Sequence, residues 1–291
     1  MDPLFSLPLT EWSQTPSSAE MHEAIGALEN GQVLFFPQLP FVLREEEKEL
    51  LSPSLSNGRA KNISLDPSGK LKHIDVTPEQ HRLLQAMMER FATSAVALVR
   101  NLFPGYAATL ERARTSYRPV EIAGRTYSPV KDDKRLHVDA FPTRPMRGRR
   151  ILRLFTNINP NGAPRLWHVG EPFEDMAQKI LPKVREPIAI APLLLAAVGA
   201  TRGLRSPYDN LMLGLHDNAK LDESYQRSTL HHEIAFPAGS TWACFTDQVM
   251  HAALAGQYVL EQTFHLDIAA MAEPQRAPIK VLERMTGRVL A

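Results

Sequence analysis

The chain has 291 residues, 44% hydrophobic and 22% charged, an ordinary globular composition with length enough for one large domain. One cysteine, Cys244, excludes an intrachain disulfide and points to a reducing compartment. The first residues, Met1-Asp2-Pro3-Leu4-Phe5, lack the basic start and apolar core of a signal peptide, so a cytoplasmic protein is expected.

Helices dominate the first part of the chain. Ser17-Ser18-Ala19-Glu20 caps a short helix carrying Met21, Ile25 and Leu28, which Gly31 stops. Val33-Leu34-Phe35-Phe36 reads as a buried strand. The charged stretch 44–51 is expected to be helical and the polar stretch 52–70 to be loop. Thr77-Pro78-Glu79-Gln80 combines an N-cap, a proline at the first helical position and a capping-box glutamine. It opens the longest helix, Pro78–Leu102, with an apolar stripe from Leu83 and Leu84 to Leu98 and Val99.

After Pro104-Gly105 the pattern becomes strand-like. Strands are expected at 114–118, 151–157, 230–236, 241–245 and 259–267, with short helices at 172–181 and from a Ser206 cap to about Asn218. The apolar run 188–200 contains Pro192 and is too short to span a bilayer. It is expected to be core, with an interfacial lip as the other reading because Arg202 and Arg205 follow it. Helices first and short strands later suit an α+β chain in which N-terminal helices buttress a β-sandwich or barrel. The expected single domain divides into helical support (1–105), a β core (106–270) and a C-terminal helix (271–291).

The chemistry centres on His137-Val138-Asp139. In extended backbone, residues two apart point to one side, so an imidazole and a carboxylate can reach one metal ion. The same spacing recurs at His73-Ile74-Asp75 and His265-Leu266-Asp267. His265 is the last histidine, however, and His73-Asp75 runs straight into the helix cap at Thr77. Only His137-Asp139 is followed by strands and then by a third ligand, His251. That residue is expected at the far end of the strand begun after Pro237-Ala238-Gly239. Two histidines and a carboxylate form the facial triad of non-haem Fe(II) oxygenases. Zinc would accept the same donors, but the helical His-Glu-x-x-His spacing is absent. The histidines of His231-His232-Glu233 alternate across a strand and cannot easily share an ion.

Although the net charge is only +1, residues 131–153 hold eight basic side chains (Lys131, Lys134, Arg135, Arg144, Arg147, Arg149, Arg150, Arg153) against three acids (Asp132, Asp133, Asp139). Alone this is a solvated loop; beside a metal it becomes a seat for anions. The cluster lacks the interleaved aromatics of a nucleic-acid platform, and no nucleic-acid partner is expected.

His137-x-Asp139 with His251, in a late β-rich region, resembles the double-stranded β-helix (jelly-roll) core of Fe(II)/2-oxoglutarate dioxygenases. More narrowly, Leu136-His137-Val138-Asp139-Ala140-Phe141-Pro142, the arginine run, Phe245-Thr246-Asp247-Gln248-Val249-x-His251 and Leu260-Glu261-Gln262-Thr263-Phe264 are similar to bacterial Kdo 3-hydroxylases. The resemblance implies an enzyme in which His137, Asp139 and His251 hold Fe(II). The co-substrates would be 2-oxoglutarate and O2, with ascorbate restoring oxidised iron. The acceptor would be Kdo-lipid A or a related lipopolysaccharide precursor, hydroxylated at C3 of Kdo to give Ko, with peripheral association at the cytoplasmic face of the inner membrane. Many superfamily members anchor 2-oxoglutarate through a cation on the last strand, and Val259-Leu260-Glu261-Gln262-Thr263 has none. Arg153 is the expected anchor, unless it is merely an exposed strand arginine, with Asn157 and Gln262 as further polar contacts. Arg144, Arg147 and Arg149 are the expected acceptor contacts. Another small-molecule or peptide hydroxylase on this fold, or a non-catalytic sugar-binding β-sandwich, remain the alternatives.

Overall fold

The computed structural model describes residues 2–185 and 204–291, so the apolar run 188–200 lies outside the described residues. Strand β1 (Leu4–Ser6) and helix α1 (Ser18–Glu29) precede β2 (Val33–Phe36), and α1 starts at the Ser17–Glu20 capping box. Residues 46–50 form one 3-10 turn instead of an α-helix. The expected loop 52–70 contains a second such turn, Pro53–Leu55, and a strand, β3 (Ile63–Leu65), which pairs with β4 (Leu71–Lys72). Ile63-Ser64-Leu65 is too short for its alternation to show among serines and glycines, yet all three residues are buried.

Helix α2 (Pro78–Leu102) begins at the Thr77–Gln80 capping box. It buries Leu84, Met87, Met88, Phe91, Ala95, Leu98 and Val99. That stripe belongs to the same apolar core as Tyr117, Leu152, Leu154, Leu260 and Phe264 from the sheet. Those sheet residues lie on β5 (Glu111–Arg118), β6 (Arg150–Asn157) and the last strand, β11 (Val259–Leu266). The remaining elements are β7 (Arg165–Gly170), α3 (Phe173–Ile180), α4 (Pro207–Leu221), α5 (Glu223–Ser228), β8 (His231–Phe236), β9 (Thr241–Phe245), β10 (His251–Ala255) and α6 (Pro278–Thr286).

The strands form two sheets. The larger runs β1-β2-β9-β6-β11-β5-β3-β4 and the smaller β10-β7-β8. Between them lies a second apolar cluster, in which the rings of Phe155, Trp167, Phe236 and Trp242 interdigitate beside Cys244. Trp242 stacks on Phe236 at 4.2 Å and on Phe155 at 5.3 Å. Two facing sheets with helices against the outer face of the larger one make a jelly-roll core buttressed by helices.

Two strands of the small sheet, β7 and β10, escape the sequence pattern. His251 does not end the strand begun at Thr241. That strand stops at Phe245, a turn crosses between the sheets, and His251 is the first residue of β10. The correction matters, because it moves the histidine into the sheet that faces Arg153.

Candidate metal centre

Residues 135–139 run antiparallel to β10. His137 N–H donates to the His251 carbonyl at 3.0 Å, and His251 N–H returns to the His137 carbonyl at 2.9 Å. Asp139 N–H donates to the Thr246 carbonyl at 2.7 Å. On the other side, Gln226 of α5 brackets Leu136, accepting from its N–H and donating to its carbonyl, both at 2.9 Å. Backbone pairing thus brings together ligands more than a hundred residues apart in sequence.

His137, Asp139 and His251 each offer one ligand atom, and these atoms lie within 4.8 Å of one another. The His137 Nδ1 meets the Arg135 carbonyl at 2.7 Å and the His251 Nδ1 meets the Val249 carbonyl at 2.9 Å. Each contact requires Nδ1 to carry the proton, which leaves both Nε2 lone pairs for an ion. Burial, followed by the neighbouring His251, Lys220 and His216, holds the His137 imidazole well below its usual pKa. Burial likewise depresses His251. Burial alone would raise the Asp139 carboxyl, but Arg153 and His251 outweigh it and the net shift is downward. Two neutral imidazoles and a carboxylate are the protonation states a divalent cation needs. Asp139 Oδ2 is buried without a hydrogen bond, its nearest cation being Arg153 Nη2 at 3.1 Å. An orphaned carboxylate oxygen beside two uncommitted Nε2 atoms fits a metal.

Surrounding side chains hold these ligands in place. Trp167 stacks on His251 at 5.2 Å, and His216 meets His137 edge-on at 5.3 Å. The turn before His251 is pinned by Arg150, which is fully buried. Its Nε donates to Asp247 Oδ2 at 2.8 Å, its Nη2 to Gln248 Oε1 at 2.6 Å, and its guanidinium lies 3.8 Å from the Phe245 ring centre. Sequence reasoning singled out this Phe245–His251 stretch without finding its partner, because only the β6–β9 register places Arg150 beside Asp247.

Of the expected co-substrate contacts, Arg153 lies at the centre. Its side chain is 14% exposed and bridges Asp139 Oδ2 and Glu261 Oε1, the latter at 3.2 Å, so it is not an exposed strand arginine. Asn157 and Gln262 are engaged elsewhere. Gln262 pairs with Leu154 and faces the α2 side, where Thr115 donates to its Oε1 at 2.6 Å. A period of two puts Glu261 and Thr263, not Gln262, on the face of Arg153. Asn157 is spent on a loop, donating to the Ala163 and Phe236 carbonyls and accepting from Asn159 N–H at 3.0 Å.

The lumen holds two arginines that the sequence reading missed. Arg118 donates to Glu261 Oε2 at 2.7 Å. Arg165 is 3% exposed, gives Nη1 to the Gly256 carbonyl at 2.8 Å, and leaves Nε without an acceptor. Among the described residues Arg165 has no ion-pair partner. Burial and then Arg118 push it down to about 9. Its position two residues before Trp167 on β7 was the available signal, since that places both on the inner face.

The arginine run divides. Arg144 lines a cavity of about 290 Å³ together with Arg114, Phe141, Thr263, His265 and Arg153, the last of which joins it to Asp139. Arg147 does not: it is exposed and reaches the Leu204 carbonyl at 3.4 Å. Arg149 pairs with Glu111 Oε2 at 2.6 Å and also lies outside the cavity lining. Proline and glycine turns reverse the chain after Arg144, so of the three arginines the one nearest in sequence to Asp139 lines the cavity and the other two turn away. The decoy His73 sits in left-handed backbone (φ 65°) beside the turn to α2, and His231 stacks on His168 at 4.0 Å, away from the centre.

A jelly roll bearing a buried two-histidine, one-carboxylate face beside a cationic lumen defines the non-haem Fe(II)/2-oxoglutarate-dependent dioxygenase class. Residues 11–289 match the family described as 3-deoxy-D-manno-oct-2-ulosonic acid (Kdo) hydroxylase, and the chain belongs to that family. It is similar to the solved Kdo hydroxylase KdoO in complex with α-ketoglutarate and Fe(III), at 46% identity and a TM-score of 0.96, covering 100% of this chain and 98% of that one. The cobalt(II) complex of KdoO gives 47% identity and a TM-score of 0.97, covering 99% and 97%. The succinate and Fe(III) complex gives 46% and 0.96 with the same coverage. There is no match among curated proteins.

Proposed function

We propose that this Kdo hydroxylase acts on Kdo-lipid A or a related lipopolysaccharide precursor, exchanging the C3 hydrogen of a Kdo sugar for hydroxyl to give Ko. The observation that carries the reading is the joining of His137, Asp139 and His251 to an arginine-lined cavity through one residue, Arg153. In this reading the triad holds Fe(II), and the bound iron with 2-oxoglutarate and O2 supplies the oxidising chemistry, releasing succinate and CO2. Ascorbate would keep the iron ferrous between turnovers.

The chain's own residues bind and orient. The carbonyl-tied Nδ1–H groups of His137 and His251 fix which nitrogen faces the metal. Arg153 holds Asp139 ionised, and its guanidinium would pair with a carboxylate of the keto acid. Arg118 and Arg165 crowd like charges into a low-dielectric lumen. A dianionic co-substrate relieves that repulsion, so we place its distal carboxylate there, with Arg153 at the keto-acid end. Phe155, Trp167 and Trp242 pack the space between the sheets behind these charges and exclude water from it. A lipid-linked acceptor implies work at the cytoplasmic face of the inner membrane; no described helix is long and apolar enough to cross a membrane.

The test is turnover by the iron-loaded protein with 2-oxoglutarate, in the presence and absence of Kdo-lipid A. The reading requires acceptor-dependent succinate release and one added oxygen on a Kdo residue. Succinate release that ignores the acceptor, with unmodified sugar, contradicts it.

A further inference from the structure

We propose that the cavity beside the triad is the acceptor's sugar site, and that Arg114 and Arg144 clamp the carboxylate of the acidic sugar there. This rests on the functional reading above and adds the residues that recognise the acceptor. The strand pairing supplies the first argument. Between β11 and β5 the register slips at Gln262 and Phe264, so Arg112 lies opposite Phe264, and Ala113 and Arg114 are left against Thr263. Such a bulge re-aims side chains. Arg112 goes to the helix side, where both its terminal nitrogens meet Glu89 of α2 at 2.6 and 2.7 Å. Ala113 and Arg114 both line the cavity.

The second argument is charge. Of the four arginines lining the cavity, Arg118 and Arg153 are committed to Glu261 and Asp139. Arg114 is exposed and its guanidinium has no partner among the described residues. Arg144 has only Glu111 Oε1 at 3.9 Å, and Glu111 is already held by Arg149 at 2.6 Å. Two guanidiniums without a close partner among the described residues therefore line the cavity, a surplus that suits an anion taken in from solvent. Size is the third argument. At about 290 Å³ the cavity lies just below the usual range for ligand pockets, a size that suits the acidic end of one sugar and is too small for a lipid. The remaining wall suits a polyol: Phe141 offers a ring face next to Arg153, and the Thr263 hydroxyl and the buried His265 imidazole offer hydrogen-bonding groups. Arg153 touches both the cavity and Asp139, so a sugar held there would lie one side chain from the triad.

The test compares the iron-loaded parent with Arg114→Gln, Arg144→Gln and the control Arg147→Asn. Each is assayed on Kdo-lipid A and on the same acceptor with its sugar carboxylates converted to primary amides. Binding of 2-oxoglutarate is followed anaerobically through the visible absorption of its iron complex. Charge-assisted hydrogen bonds of this kind are worth roughly a ten- to hundredfold change in affinity. The parent should therefore show a KM for the amide higher by about that factor. Arg114→Gln and Arg144→Gln should each raise the KM for the carboxylate acceptor about tenfold and leave the amide nearly unchanged. Their 2-oxoglutarate binding should match the parent's, and Arg147→Asn should leave every value unchanged. Unaltered KM values in both cavity variants overturn the proposal. So does an equal loss on both acceptors, which would assign the arginines to lipid phosphate or to the fold. A parent that binds iron and 2-oxoglutarate but turns over neither acceptor refutes the functional reading itself, and the sugar site with it.

Discussion

Replacing Arg150 with Met removes a cation from a site closed to solvent. Arg150 is fully buried, and Asp247 is 1% exposed. The carboxylate would lose the 2.8 Å contact from Nε while remaining in the core. Breaking a buried pair from one side costs about 3–5 kcal/mol, a large part of the roughly 5–15 kcal/mol that holds a domain together. At about 2 °C per kcal/mol for a chain of this size, Tm should fall roughly 6–10 °C. The damage should reach the metal, because Thr246 beside Asp247 accepts from Asp139 N–H and the following turn leads into His251. Urea unfolding followed by circular dichroism gives the stability, and Co(II) titration of the folded variant gives the metal affinity. Arg150→Met with Asp247→Leu removes both charges together and should be less destabilised than Arg150→Met alone. A single variant that loses less than about 1 kcal/mol, or a double variant worse than either single one, would refute the view that a desolvated charge pair sets this turn.

Alanine at His137, Asp139 or His251 should abolish turnover and weaken Fe(II) binding sharply, while His73→Ala and His231→Ala keep iron in an equilibrium dialysis assay. Arg165→Gln should raise the KM for 2-oxoglutarate by about tenfold or more if it pairs with a carboxylate, and Gln262→Leu should leave it unchanged. Burial, then Arg144 and Arg149, hold His265 down to about 4, against about 6.5 unfolded. Between those values the unfolded chain binds the extra proton, so stability is complete above pH 6.5 and falls as pH drops towards 4. The loss is on the order of 3 kcal/mol. Comparing the metal-free proteins over that window, His265→Gln should shallow the slope by about one proton, and an unchanged slope removes His265 as its source.

Local signals carried much of the fold. A capping box and a proline at the first helical position mark Pro78–Leu102, and β-branched and aromatic runs mark Val33–Phe36 and Thr241–Phe245. Strand β7 was hidden because its inward residues are Arg165, Trp167 and Val169, and a charged residue facing the lumen breaks the apolar alternation. Strand β10, His251-Ala252-Ala253-Leu254-Ala255, was hidden because alanine and leucine carry little strand propensity. The His137–Asp139 pair stood out because its chemistry demands particular residue types at short spacing, whereas His251 lies more than a hundred residues on and opens a strand the pattern did not show. Arg118, Arg165 and Arg150 were not, since their roles depend on cross-strand register. Gln262 shows the same limit, being one residue from Glu261 and on the opposite face.

The central claim is that the centre built by His137, Asp139 and His251 puts oxygen on a Kdo sugar. The most direct measurement is mass spectrometry of Kdo-lipid A after incubation with the protein, Fe(II) and 2-oxoglutarate under 18O2, with the His251→Ala variant alongside. The parent should add one 18O atom to a Kdo residue and release succinate in step, and the variant should do neither. Unlabelled Kdo from a parent that binds iron and consumes 2-oxoglutarate, or labelled Kdo from His251→Ala, would contradict the account.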